Sequence, residues 1–180
     1  MKSLYASFYP DIKITAAKGQ LITLTQKQLD ELRGIKDIET FSLVADEKAL
    51  IQNGGLQTVV HIKGVDENYA GVAGIASHLY RGEYNLGNED QPGLVFGVGV
   101  EQALALSSDQ AISPVSVYLP NKKVTSTTDP LASLSLSLAN PTGSFAIQSE
   151  LDNKYVITNL DFIRAYAGYQ QDQYSAVEIK

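Results

Sequence analysis

Residues 92–119, PGLVFGVGVEQALALSSDQAISPVSVYL, constrain the fold more than any other stretch of the chain. The apolar run 94–98 reads as a strand, and Gly97 and Gly99 turn it into a short helical run at 100–106. Ser107-Ser108-Asp109 breaks that helix, and 112–119 resumes as an alternating strand. A strand–glycine–helix–strand unit of this kind is a packing module first. A nucleotide fingerprint would need a third glycine where Gln102 stands, and a carboxylate about 20 residues on, where Leu119-Pro120-Asn121 offers none. Close helix–strand packing around a tight turn is the reading that remains.

Length and composition set the outer limits. The 180 residues suit one domain, or two small subdomains sharing a core, and an apolar fraction of 44% against 19% charged excludes a disordered chain. Net charge is −6 with no lysine or arginine cluster, which argues against nucleic acid or an anionic membrane surface as partner. The absence of cysteine removes disulfides, thiolate zinc sites and thiol catalysis together. Apolar runs such as 94–100, with glycine counted as apolar, are far short of the roughly 20 residues that span a bilayer. The opening MKSLYASFYP lacks the apolar core of a signal peptide.

Along the chain, 7–24 reads as two extended segments around Ala17-Lys18-Gly19. Thr25-Gln26-Lys27-Gln28 has the form of a capping box, with Leu29, Leu32 and Ile35 as the stripe of the helix it opens and Gly34 as its left-handed end. Strands at 41–51 and 56–65 flank the hairpin signal Asn53-Gly54-Gly55. Asp66 is placed to cap a helix with Tyr69, Val72, Ala76 and Leu79 on one face, weakened by Gly71 and Gly74. Residues 121–130, NKKVTSTTDP, are polar and read as a loop. In 133–138 leucines alternate with serines, the pattern of a half-buried antiparallel strand. Further strands are expected at 142–151, 155–157 and 174–180. Leu160, Ile163 and Ala167 stripe a helix that Thr158 or Asn159 caps and Gly168 ends.

Catalytic chemistry finds little support. The two histidines, His61 and His78, sit outside any HExxH pattern, which argues against a three-ligand catalytic zinc site. Ser77 and His78 are sequence neighbours, which should point their side chains apart. Asp46-Glu47, Asp66-Glu67 and Glu89-Asp90 are expected to be solvated loop or cap residues rather than acid/base pairs. An enzyme would need Glu101 or Asp109 beside one of the histidines in a cleft. A glycan- or peptide-binding module would need a deep pocket lined by several of Tyr5, Tyr9, Tyr69, Tyr80, Tyr84, Tyr118 and Tyr166.

The order of elements carries a resemblance. His61-Ile62-Lys63-Gly64-Val65-Asp66, then Gly82-Glu83-Tyr84, then Val95-Phe96-Gly97 running into Glu101-Gln102-Ala103-Leu104-Ala105-Leu106 resemble the MacB-like periplasmic core domain of ABC transporter permeases. The likeness continues through Gly143-Ser144-Phe145-Ala146, Glu150-Leu151-Asp152, Asn159-Leu160 and Ala176-Val177-Glu178-Ile179-Lys180, with Pro10-Asp11-Ile12-Lys13-Ile14 suiting the opening strand. Within the MacB/FtsX/LolC/LolE superfamily it is greatest to the lipoprotein-releasing permeases LolC and LolE. Ser107-Ser108-Asp109 departs from relatives that carry a glycine before the aspartate.

The resemblance implies an α+β fold of two subdomains. One is a membrane-proximal α/β part from residues 1–65 and 152–180; the other is a β-rich insertion, 66–151. It implies a non-catalytic, extracytoplasmic domain anchored to the inner membrane, without cofactor or metal, that relays motion. Its partners would be the membrane-embedded remainder of the permease, a cytoplasmic ATPase and a periplasmic lipoprotein carrier or adaptor. It also places a carrier-holding loop at 120–134, with Asn121, Lys122, Lys123, Val124, Thr125, Asp129 and Pro130 as contact residues. An efflux permease of MacB type or a signalling permease of FtsX type is the alternative within the superfamily.

Overall fold

The computed structural model describes residues 8–124 and 133–180. Its elements follow in chain order as β1 (Ile12–Thr15), β2 (Ile22–Thr23), α1 (Gln26–Arg33), β3 (Phe41–Asn53), β4 (Leu56–Val65), α2 (Tyr69–Val72), β5 (Leu79–Gly82) and β6 (Gly93–Gly97). Then come α3 (Val98–Ala103), β7 (Val115–Pro120), β8 (Leu134–Phe145), α4 (Ser149–Asp152), β9 (Tyr155–Asn159), α5 (Leu160–Ala167), β10 (Gln173–Tyr174) and β11 (Ala176–Ile179). The α+β class expected from the sequence is what the chain adopts: mostly sheet, with few and short helices.

The strand pairings close on themselves. β3 pairs with β4, β4 with β9, β9 with β6, β6 with β8, β8 with β7, and β7 returns to β3. The β4–β9 and β6–β8 pairs are parallel and the others antiparallel. β11 and then β1 extend the sheet from β3, and β5 extends it from β8. β2 and β10 form a separate two-stranded ladder.

The two faces of the sheet carry different cores. Ala49 and Ile51 of β3, Val60 and Ile62 of β4, and Val117 and Leu119 of β7 share one cluster with Val100 and Leu104 near α3 and Phe162 and Ile163 of α5. On the other face Val44, Val65, Val95 and Ile157 pack with Phe8, Tyr69, Ile75, Phe145 and Leu151. Gly97 and Gly99 are where the opening module meets α4. A Cβ on Gly97 would lie 2.2 Å from the Asp152 carbonyl oxygen, and one on Gly99 1.8 Å from the Asn153 side chain. The close-packing reading of Gly97-Val98-Gly99 therefore holds.

Local signals resolve in different ways. Thr25 makes the capping box with Gln28, and Asn159 caps α5 by accepting from the Phe162 amide at 2.8 Å. Gly168 ends α5 at φ 75°, as expected. Gly34 instead stays right-handed (φ −78°), because its amide donates back to Asp30 and Glu31 in a tightened last turn. The helix after Asp66 is only α2, followed by a 3-10 turn at Gly74–His78. Residues 142–151 do not make a separate strand. β8 runs through Pro141 to Phe145 with a register shift near Thr142, and Ser149–Asp152 is helical.

The largest departure concerns the leucines of β8. Val117 and Leu119 of β7 face the core, and their cross-strand partners are Ser137 and Ser135. The serines therefore turn inward, while Leu136 and Leu138 point outward at 55% and 57% exposure. Alternation fixed the strand but not which face is buried; the register with β7 decides that. No helix among the described residues is long and apolar enough to cross a membrane.

Candidate functional site

Three consecutive charged residues, Asp46-Glu47-Lys48, stand between the apolar stretches 43–45 and 49–51 of β3. They coincide with a break in its pairing. One edge of β3 pairs with β11 over 41–44 and with β7 over 50–52, and among the described residues no strand lies against the stretch between. The reason lies in β7. Continuing the ladder by two residues would set Lys48 opposite Pro120, which has no N–H to give. The sheet splits there into a seam, and an open cleft of roughly 670 Å³ follows it.

Side chains from distant parts of the chain close the seam. Glu47 takes the Lys122 ammonium and, at 2.5 Å, the Tyr169 hydroxyl on the same carboxylate oxygen, Oε1. Tyr169 also shares a 2.9 Å hydrogen bond with Ser175, whose oxygen accepts from the Asp46 amide at 2.9 Å. The Lys122 ammonium stands 4.8 Å over the Tyr169 ring. Burial, and then the hydrogen bond to the Glu47 carboxylate, push the Tyr169 phenol far above its ordinary range. Gly168 brings Tyr169 into place by turning the chain at the end of α5. The Lys122 amide is pinned to the Ala167 carbonyl at 3.0 Å.

Across β3, His61 approaches Asp46 at 3.8 Å. Partial burial, then the Lys154 charge, lower its pKa below the usual imidazole value, with Asp46 opposing. Deeper in, Lys63 of β4 and Glu178 of β11 form a buried pair at 2.9 Å that Lys13 joins at 3.4 Å. The Lys63 ammonium is surrounded by the rings of Phe8, Tyr69 and Tyr155 at 5.1, 5.5 and 5.9 Å. Both charge networks tie strands from opposite ends of the sequence.

The residues expected to matter fall as follows. Asn121 is anchored: its side-chain nitrogen donates to Ser135 at 2.9 Å and its oxygen accepts from the Lys123 amide. Lys122 is turned inward onto Glu47, and Lys123 and Val124 are exposed. Thr125, Asp129 and Pro130 lie outside the described residues. Asp46 and Glu47 are not solvated loop residues but sit in mid-strand on opposite faces. Asp66 is a cap of a different kind, accepting from Ser42, Leu43 and Asn68, while burial raises its pKa.

Ser77 and His78 do touch, at 3.1 Å, contrary to expectation, because both lean on the Gly74 carbonyl in the 3-10 turn. The serine hydroxyl donates to that carbonyl at 2.7 Å, which spends its proton away from the imidazole. Glu101 and Asp109 both face Arg81, at 3.8 Å each, rather than a histidine. Tyr5 lies outside the described residues, and of the described tyrosines only Tyr169 lines the cleft. Sequence reasoning missed Glu47, Tyr169 and Ser175 as partners. A charged triplet between two apolar stretches of one strand was the signal that could have found the first of them.

Among the described residues no group of three or more acidic or histidine side chains is placed to hold a metal. The seam joins β3, the segment after β7, the end of α5 and the residue before β11 through polar contacts.

No protein-family profile matches the sequence, and no curated protein matches it either. Solved structures do match. The extracellular domain of the noncanonic ABC-type transporter YknZ from Gram-positive bacteria superposes with a TM-score of 0.57 at 12% identity, over 91% of this chain and 75% of that one. The periplasmic region of MacB from Actinobacillus actinomycetemcomitans gives 0.53 at 13% identity, over 88% of this chain and 65% of that one. The chain has the fold of these extracytoplasmic transporter domains.

Proposed function

We propose that the chain is the extracytoplasmic domain of an ABC transporter permease, of the lipoprotein-releasing type. The observation that carries this reading is the position of the terminal strands. β1 and β11 pair antiparallel with Ile12 opposite Ile179, and the Asp11 amide donates to the Ile179 carbonyl at 2.9 Å. Asp11 and Lys180 thus lie side by side at one end of the fold, where two membrane helices could take over from them. The likeness in fold to the YknZ and MacB domains supports the same reading.

In this reading residues 1–65 and 152–180 form the membrane-proximal part and 66–151 the inserted part. β3 pairs with a strand of each, β11 and β7, and the seam lies between those two pairings. Motion driven by a cytoplasmic ATPase would pass across that seam. A periplasmic carrier would be met by residues 121–130, through Lys123 and Val124 rather than through Lys122, whose charge Glu47 already takes. A MacB-type permease is the second reading, favoured by MacB itself being among the structural neighbours.

The test is co-purification. The full-length protein, extracted from membranes, brings down a nucleotide-hydrolysing subunit, and its domain captures a periplasmic lipoprotein carrier. Lys123→Glu with Val124→Asp abolishes the capture without unfolding the domain. Recovery of the ATPase without carrier capture supports the second reading. Recovery of neither refutes both.

A further inference from the structure

The outward leucines of β8 lie on an open strand edge. The Asn121 amide donates to the Ser133 carbonyl at 2.7 Å, so the odd residues of β8 point their backbone groups at β7. The N–H and C=O groups of Leu134, Leu136 and Leu138 therefore point to the opposite edge. On that edge β6 reaches β8 only from Asn140 onward, where the Asn140 amide donates to Pro92. Among the described residues no strand pairs with Leu134–Leu138 there.

Edges of this kind are ordinarily guarded by charge, proline or a bulge. Between Leu134 and Ala139 the sequence is LSLSLA, with none of these. The exposed face alongside is apolar as well. Leu136 pairs with Tyr118, Tyr118 with Leu50, and Leu50 with Val59, so the four side chains form one row across β8, β7, β3 and β4. Val59, at the far end, is 66% exposed.

We infer that this edge pairs with a second copy of the chain, β8 against β8 antiparallel, with the two-fold axis at Leu136. In that register Leu136 exchanges both backbone hydrogen bonds with the partner's Leu136, and Leu134 exchanges its own with the partner's Leu138. Every outward N–H and C=O of the segment then meets its complement. The side chains follow the backbone: the apolar row of one copy runs into the row of the other, and the partner's Leu136 covers Leu136.

Charge argues for a copy of the same chain. The strip 134–138 and the row behind it hold no charged side chain, so two chains of net charge −6 meet there without facing like charges. A partner selected by charge would find nothing on the strip to select it. The pairing buries less than the roughly 800 Å² per partner of a standard interface, so the isolated domain associates weakly. The inference is independent of the transport reading.

The chain contains no cysteine, so Leu136→Cys introduces its only thiol. Hydrogen-bonded residues in an antiparallel pair have Cα atoms about 5.5 Å apart, within disulfide reach. Under mild oxidation L136C forms a covalent dimer at least about tenfold faster than Ile112→Cys at equal concentration, because pairing holds its thiols together. Ile112 is the fair control, being 99% exposed and outside the strip. Adding Leu138→Lys to L136C removes the advantage, with circular dichroism and melting temperature close to those of L136C. Equal rates for L136C and I112C overturn the inference, as does dimerisation that survives L138K. A slow L136C, together with wild-type binding to phosphatidylcholine–phosphatidylglycerol vesicles that L138K abolishes, assigns the face to lipid and also overturns it.

Discussion

Replacing Glu47 by alanine removes the acceptor on which the seam converges. Its side chain is 12% exposed and that of Lys122 is 28% exposed, so the pair lies largely out of water. A hydrogen bond to a charged group contributes about 1.5–3 kcal/mol, and stranding one partner of a fully buried pair costs about 3–5 kcal/mol. Two features keep the cost below that upper range. Lys122 retains some access to water, and the Tyr169 hydroxyl keeps its 2.9 Å contact with Ser175. We therefore expect a loss of about 2 kcal/mol for Glu47→Ala, a fall in melting temperature of about 4–8 °C for a domain of this size. Glu47→Gln keeps a neutral acceptor and should lose about half as much. Calorimetry reads the shift, and a double-mutant cycle with Lys122→Ala should return a coupling of about 1 kcal/mol or more. Hydrogen exchange should quicken at the Lys122 amide, which bonds the Ala167 carbonyl. A Glu47→Ala protein that melts within about 1 °C of wild type, with no coupling to Lys122, would show that the seam is held by something else.

Three further outcomes are expected. Glu101 is buried and accepts from both the amide and the hydroxyl of Ser108, at 2.8 and 2.6 Å, so Glu101→Ala should cost about 3 kcal/mol in denaturant unfolding; a cost under about 1 kcal/mol would contradict this. Gly97→Ala drives a methyl into the Asp152 carbonyl and should cost about 3 kcal/mol or more, measured the same way, with α4 displaced from β6. For His61 the folded pKa lies below the ordinary imidazole value of 6.5, so the folded state binds its proton less tightly than the unfolded chain. Its contribution to stability is complete above pH 6.5 and is lost as pH falls through the lowered folded value. Melting curves from pH 7.5 to 5 should decline less steeply for His61→Gln than for wild type.

Signals carried by neighbouring residues were readable in the sequence. Thr25 with Gln28, Asn159 with Phe162, Asn53-Gly54-Gly55 and Gly168 each act within a few residues, and each forms as local chemistry requires. The element order was legible too, and led to the fold that the YknZ and MacB domains share. What failed were properties set by contacts across the chain. Nothing local to LSLSL says which side is the core, because Val117 and Leu119 on β7 decide it. Pro120 reads as the end of a strand, yet its missing N–H also ends a ladder with a strand some 70 residues earlier, and the seam follows from that. Lys122 reads as a contact residue on a loop, yet Glu47, Tyr169 and the Ala167 carbonyl hold it in place.

In the function we propose, motion driven by an ATPase reaches the proposed inserted part across the seam. The direct measurement is the distance between spin labels at Lys18 and Ile112 in the full-length protein, purified with its ATPase subunit. Both positions are exposed, and they belong to the proposed membrane-proximal and inserted parts respectively. We predict that the distance distribution shifts between the nucleotide-free and vanadate-trapped states, and that Glu47→Ala broadens it in both. An unchanged distribution, with the ATPase active and both labels in place, would contradict the claim.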